Sequence, residues 1–215
     1  MSSYKCVYEG GVGEIEEKKS RFICHVKPVE SEEEAVAFIN EKKKEYWDAR
    51  HNCSAFVIGS NAELTRCSDD GEPSGTAGRP MLEVLLGEEV RNVAAVVTRY
   101  FGGVLLGTGG LVRAYQAAVK EGLAASKIIE KYEGIMANIT CDYTGVGKLQ
   151  YLFAKNGYTV MDSKYEADVC FTLVVPKEEY QRACKEVIEA TNGQSKLNKD
   201  KECIYAVLDG AVIVF

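Results

Sequence analysis

Two stretches of the chain concentrate residue types that can do chemistry. The first, SDDGEPSGTAGRP at residues 68–80, sets Asp69, Asp70 and Glu72 among Gly71, Gly75 and Gly78 and then starts a helix. Carboxylates grouped so closely offer a general base or ligands for a divalent cation. Ser74 and Thr76 add hydroxyls that can hold a phosphate or, more commonly in glycine-rich turns, the local backbone. The second stretch, TRYFGGVLLGTGGLVRAY at residues 98–115, leads from a strand bearing Arg99 and Tyr100 through Gly102, Gly103, Thr108, Gly109 and Gly110 into a helix carrying Arg113. A glycine loop at a helix start presents N–H groups at the positive end of the helix dipole, which suits an anion. The stretch lacks GK[ST], and GTGGLV misses the last glycine of the dinucleotide pattern, so neither a Walker loop nor a dinucleotide site is expected.

The basic residues are sorted as well. Between Lys44 and Lys120 there is no lysine, and the six basic residues there are Arg50, Arg66, Arg79, Arg91, Arg99 and Arg113. Arginine has the planar fork that pairs bidentately with carboxylate or phosphate. One reading gathers Arg79, Arg99 and Arg113 with Asp69, Asp70 and Glu72 in a polar cleft that accepts a small anion. The other pairs these arginines and acids with each other to lock two glycine-rich turns. Nine glycines between residues 71 and 110 favour the cleft. Arg113, taken to lie in the first helical turn, opposes the dipole by about 0.3–1 kcal/mol unless an acid or an anion compensates it. His51, at a helix-to-strand junction, fits a general base or a capping role.

The elements that must position these residues follow from periodicity. β-rich runs at residues 4–9, 12–17 and 21–28 predict an opening meander. Ser31 and Glu34 form a capping box for a helix reaching about Tyr46. A strand over 52–59, a short partner at 64–67, a helix from Pro80, a strand over 92–100 and a helix over 111–125 complete a first domain. The mixed-charge segment Lys127 to Glu133 reads as a linker, giving domains 1–133 and 134–215. Beyond it, the order βαββαβ, with a final strand over 202–215, matches the ferredoxin-like split βαβ unit. The fold class is therefore α+β.

Of the 215 residues, 46% are apolar and 27% charged, which excludes disordered and fibrous classes. Apolar runs reach only six residues and the first ten residues carry no signal-peptide core, so a cytoplasmic protein without membrane contact is expected. The net charge is -6, and neither domain is basic: residues 1–133 carry 17 basic and 21 acidic groups, residues 134–215 carry 9 and 11. Any nucleic-acid contact must be local. With eight cysteines, two histidines and no CxxC pair, neither zinc nor another cofactor is expected, and the thiols read as buried apolar fillers.

On KKSRFI at residues 18–23, His51 before a strand, and the two long glycine-rich strings, the chain resembles the YigZ/IMPACT family over essentially its full length. The resemblance implies a first domain like the second domain of the small-subunit ribosomal protein number five. It implies a C-terminal domain like domain V of elongation factor G. Eukaryotic relatives bind a large activator of the amino-acid-starvation kinase, so a regulatory role connected with translation is implied, and no catalytic residue is. The expected function is a non-catalytic binding protein whose cleft recognises RNA, the ribosome or a translation-regulatory protein. The alternative is an enzyme on a small phosphorylated or carboxylated substrate, with Arg99 and Arg113 clamping the anion and Asp69 or Asp70 acting as base or metal ligand.

Overall fold

The computed structural model describes residues 3–215. Its helices and strands form an α+β fold that divides into two compact units, Tyr4–Ile129 and Glu130–Phe215, Ser3 being counted with the latter. In the first unit the chain runs β1 (Ser3–Glu9), β2 (Val12–Glu17), β3 (Ser20–Pro28), α1 (Glu32–Glu45), β4 (His51–Ile58), β5 (Leu64–Ser68), α2 (Gly78–Gly87), β6 (Val90–Arg91), β7 (Val93–Tyr100) and α3 (Thr108–Ala124).

Five of these strands form an antiparallel sheet of order β2-β3-β7-β4-β5. β7 lies at its centre, and its unbroken apolar run Val93–Val97 reflects burial on both faces. Val93, Ala95 and Val97 join the core under α2 and α3, while Ala94 and Val96 join the core under α1. By the same alternation Arg99 falls on the α2/α3 face and Thr98 and Tyr100 on the other. Helix α1 starts with the first half of the capping box, Glu34 N donating to Ser31 Oγ at 3.2 Å, while Glu34 Oε2 reaches one residue further back and accepts from the Glu30 backbone at 2.8 Å.

The expected meander is corrected at its first strand. β2 and β3 form a hairpin through Lys18 and Lys19, both at positive φ (47° and 66°), but β1 pairs in parallel with β6 instead. Gly10 and Gly11 pack so closely on the Val26 and Ala125 backbone that a Cβ would collide there, and the strand pattern cannot tell which neighbour β1 joins. Helix α3 begins at Thr108, three residues before the expected Leu111, because Gly107 at φ 69° turns the chain into the helix. Gly109 and Gly110 are thus first-turn helical residues, and Arg113 lies in the second turn.

The second unit continues with β8 (Lys127–Cys141, whose first residues belong to the first unit), α4 (Val146–Asn156), β9 (Thr159–Tyr165), β10 (Val169–Pro176), α5 (Tyr180–Ala190), β11 (Leu197–Leu208) and β12 (Ala211–Val214). Its sheet order, β12-β11-β8-β10-β9, is the ferredoxin-like arrangement with one added edge strand. Ile135, Ala137 and Ile139 of β8 and Phe171 and Leu173 of β10 form the core with Leu149 and Phe153 of α4 and Val187 of α5.

Two local readings change here. Lys127 to Glu133, expected as a linker, is continuous strand: Ile129 and Lys131 alternate inward, and Tyr132 and Glu133 pair with Tyr205 and Ile204. Mixed charge concealed that alternation. The last strand is a hairpin, broken at Asp209 and Gly210 with φ of 52° and 81°, the Asp-Gly signal of a tight primed turn.

Candidate functional site

Arg99 sits near the end of the central strand, directly opposite Phe22 on β3 and His51 on β4. Its Nη1 donates to Glu72 Oε1 at 2.7 Å, and the two side chains are only 8% and 3% exposed. Tyr115 of α3 donates to the same carboxylate oxygen at 2.9 Å, and Cys53 Sγ lies 3.3 Å from the Tyr115 hydroxyl. Burial pushes the Tyr115 phenol far above its ordinary range, with Cys53 and Glu72 adding to the shift. Burial likewise pushes the Cys53 thiol up to about 12 against the lowering effect of Tyr115. This chain of contacts is a fully enclosed joint between the two sequence motifs. The Arg99 guanidinium lies 5.5 Å and 5.6 Å from the Phe22 and Phe101 ring centroids, and its Nε is buried without a hydrogen-bond partner.

The neighbouring carboxylates hold the first glycine loop. Asp69 accepts from the backbone N–H groups of Gly75 (2.8 Å), Ala77 (3.0 Å) and Gly78 (2.8 Å), capping the start of α2. Burial opposes its ionisation, but those three N–H groups outweigh burial and hold its carboxyl below the ordinary value. Asp70 accepts from Asn52 N at 2.7 Å and from Lys43 Nζ. His51 Nδ1 lies 3.0 Å from the Asp70 carbonyl oxygen. A carbonyl oxygen only accepts, so Nδ1 carries the proton there and Nε2 is the nitrogen left for a ligand.

A cavity of about 590 Å³ opens beside this joint, lined by Asp48, Arg50, His51, Arg99, Phe101 and Leu105 together with Tyr100. Tyr100 donates to Asp48 Oδ1 at 2.8 Å, which ties the end of β7 to the turn after α1 and leaves the Asp48 carboxylate charged at the cavity wall. Three nitrogen-bearing side chains therefore meet at one opening with two aromatic rings.

The other residues singled out in the sequence lie apart from that lining. Arg79 pairs with Glu83 one turn along α2 at 3.1 Å. Ser74 is exposed, and Thr76 Oγ1 donates to the Pro73 carbonyl at 2.7 Å. Gly102 donates to Ser20 Oγ at 3.1 Å and packs so closely on Lys19 that a Cβ would collide with its carbonyl. Gly103 takes a positive φ of 85° in the exposed loop that follows. Thr108, Gly109 and Gly110 form the start of α3, which has no side-chain cap, and Arg113 is exposed with its Nη1 3.7 Å from where a Gly109 Cβ would stand. Arg50, Phe101 and Leu105 were not placed at the site from the sequence. The signal for the last two was present: apolar side chains set inside a glycine loop, where a purely connecting segment would be polar. Among the described residues there is no cluster of three or more His, Cys, Asp or Glu arranged to hold a metal ion, and no helix is long and apolar enough to cross a membrane.

Fold and site define a protein of two α+β units, the first built around a buried Arg–Glu–Tyr joint with an arginine-lined cavity at the end of its sheet. Comparison with known proteins gives this class a family. The Impact N-terminal domain matches residues 18–123, and a domain of unknown function, DUF1949, matches residues 139–194. The chain is 43% identical over 205 residues to IMPACT family member YvyE of Bacillus subtilis strain 168, covering 95% of this chain and 94% of that one. It is 36% identical over 182 residues to IMPACT family member YigZ of Escherichia coli K12, covering 84% and 89%. A crystal structure described as that of a hypothetical protein is similar at a TM-score of 0.60 and 33% identity, over 94% of this chain and 98% of the other. Zebrafish Protein IMPACT matches only 43% of this chain, at 37% identity. The chain belongs to the IMPACT family.

Proposed function

We propose that the chain is a cytosolic binding or regulatory protein, associated with translation as its family resemblance implies, that recognises an anionic group of its partner in the cavity of the first unit. One observation carries the reading: Arg50, His51 and Arg99 line a single opening. Arg50 is exposed and supplies a guanidinium for a bidentate contact, Arg99 lines the opening from the core side with its charge shared by Glu72, and His51, its proton on Nδ1, offers Nε2 only as an acceptor for a hydroxyl of the partner. The acids that an enzymatic reading would use as base or metal ligand are engaged elsewhere: Asp69 with three N–H groups, Asp70 with Asn52 and Lys43, Glu72 with Arg99 and Tyr115. Binding without chemistry is the better use of this geometry.

Thermal melting of wild type and Arg50→Ala, with a panel of pyrophosphate, nucleotides, sugar phosphates and short RNAs, tests the reading. A ligand present at about 100 times its Kd stabilises the wild type by about 2.7 kcal/mol, and Arg50→Ala keeps its melting point but loses the shift. A panel that raises the midpoint in neither protein, or equally in both, contradicts it.

A further inference from the structure

We infer that the occupant of this cavity is a run of unpaired nucleotides, its phosphates on a basic band at one end of the sheet and its bases on exposed rings. The inference rests on the anion-binding reading of the cavity and names the kind of anion.

The band extends beyond the cavity. Lys18 and Lys19, both exposed, form the turn between β2 and β3, and the close packing of Gly102 on Lys19 sets that turn against the loop that begins at Phe101. Lys18, Lys19 and Arg50, the exposed cations, therefore lie at the same end of the sheet as Arg99, whose charge Glu72 balances, and the Asp48 carboxylate of the cavity lining. A single carboxylate or phosphate uses one or two of these groups. A chain of phosphates uses groups spaced along a path. The overall charge of -6 gives no long-range attraction, so the contact must be short and local.

Aromatic surface accompanies the charge. Phe101 lines the cavity and is 54% exposed, with the Arg99 guanidinium over it, and Trp47, next to the lining residue Asp48, is 81% exposed. A ring left open to water beside an arginine, as Phe101 is, can serve as a stacking platform for single strands, because every base has a face to stack, and Trp47 adds a second exposed ring outside the lining. A duplex keeps its base faces covered, so unpaired nucleotides are the form these rings can take. An acidic peptide would also find apolar contacts here, on the exposed Leu105 and Val104. The two exposed lysines of the turn beyond the cavity favour the longer polyanion.

Fluorescence anisotropy on the full chain tests this with labelled RNA and DNA oligomers of about eight nucleotides, a hairpin duplex and an acidic peptide, alongside calorimetric titration of pyrophosphate. Binding of either single strand at least about tenfold tighter than the duplex is expected. Trp47→Ala, an exposed ring outside the cavity lining, is expected to weaken the oligomers about tenfold while leaving pyrophosphate binding unchanged. The double change Lys18→Ala and Lys19→Ala is expected to flatten the slope of log K against log salt by about 1.4. Pyrophosphate binding with no oligomer binding overturns the nucleotide inference and leaves the anion reading intact. Peptide binding without oligomer binding makes the partner a protein and also overturns it. A chain that binds none of the probes, pyrophosphate included, overturns both.

Discussion

Arg99 and Glu72 stand 27 positions apart in the sequence, yet their side chains meet at 2.7 Å inside the first unit, and the tyrosine that shares Glu72 comes from the helix after the second glycine loop. The two motifs that look like halves of one open cleft are thus joined by a closed contact. The face left open is the adjoining one, where Arg99 borders the cavity with Arg50 and His51. Architecture and recognition share Arg99, and this decides which substitutions separate them.

Removing one partner of a buried ion pair strands the other charge. Glu72→Ala is expected to destabilise the first unit by about 3–5 kcal/mol, and Glu72→Gln, which keeps the shape and one acceptor for Tyr115, by less. Urea unfolding of the three proteins checks this. A loss below about 1 kcal/mol for Glu72→Ala would mean that water replaces the carboxylate at no great penalty.

Asp69 makes the stability of the first unit depend on pH. Its folded pKa lies below the ordinary 3.8, so its contribution is complete above that value and is lost as pH falls through the lower folded value. Asp69→Asn is expected to cost about 1.5–3 kcal/mol near neutrality, with the gap to wild type closing in acid. Chemical denaturation of both proteins from about pH 6 down to about pH 2 reads the gap through the window below 3.8 where it closes. A gap that stays constant across the range would separate Asp69 from the capping role.

The thiols divide by burial. Cys6, Cys24, Cys53 and Cys141 are buried, Cys24 and Cys53 are pushed up to about 12 by burial, and Cys67 is exposed on the edge strand β5. Labelling of the native chain at neutral pH is expected to modify Cys67 first and to leave these four until unfolding. Mass spectrometry of the labelled peptides reports the order, and early modification of Cys24 or Cys53 would show that the core opens on the labelling timescale.

The fold was legible where pattern and local chemistry agree. The capping box at Ser31 and Glu34, the apolar run of β7 and the βαββαβ order can all be read from residue spacing, because each depends on neighbours in the sequence. The partner of β1 could not, since parallel pairing with β6 depends on contacts across some eighty residues. The strand through Lys127–Glu133 was hidden because its inward positions include a lysine, and the hairpin at Asp209 and Gly210 was missed although its turn signal was present. At the site, residue types named the right neighbourhood but not the sides. Which acids face inward follows from loop backbone, as in the three N–H groups that turn Asp69 toward α2. Arg113 opposes the helix dipole only for a helix that starts at Leu111, and the start at Thr108 moves it into the second turn.

Anions are expected to enter beside Arg50 and Arg99, at the end of β7, rather than at the helix start formed by Gly107–Gly110. Backbone amide chemical shifts of the isotope-labelled full chain, followed through a pyrophosphate titration, test it most directly. The expected result is a saturable movement of the amides of Arg50, His51 and Arg99–Phe101, absent in Arg50→Ala. Movement centred on Thr108–Arg113, or no saturable movement anywhere in the first unit, would contradict it.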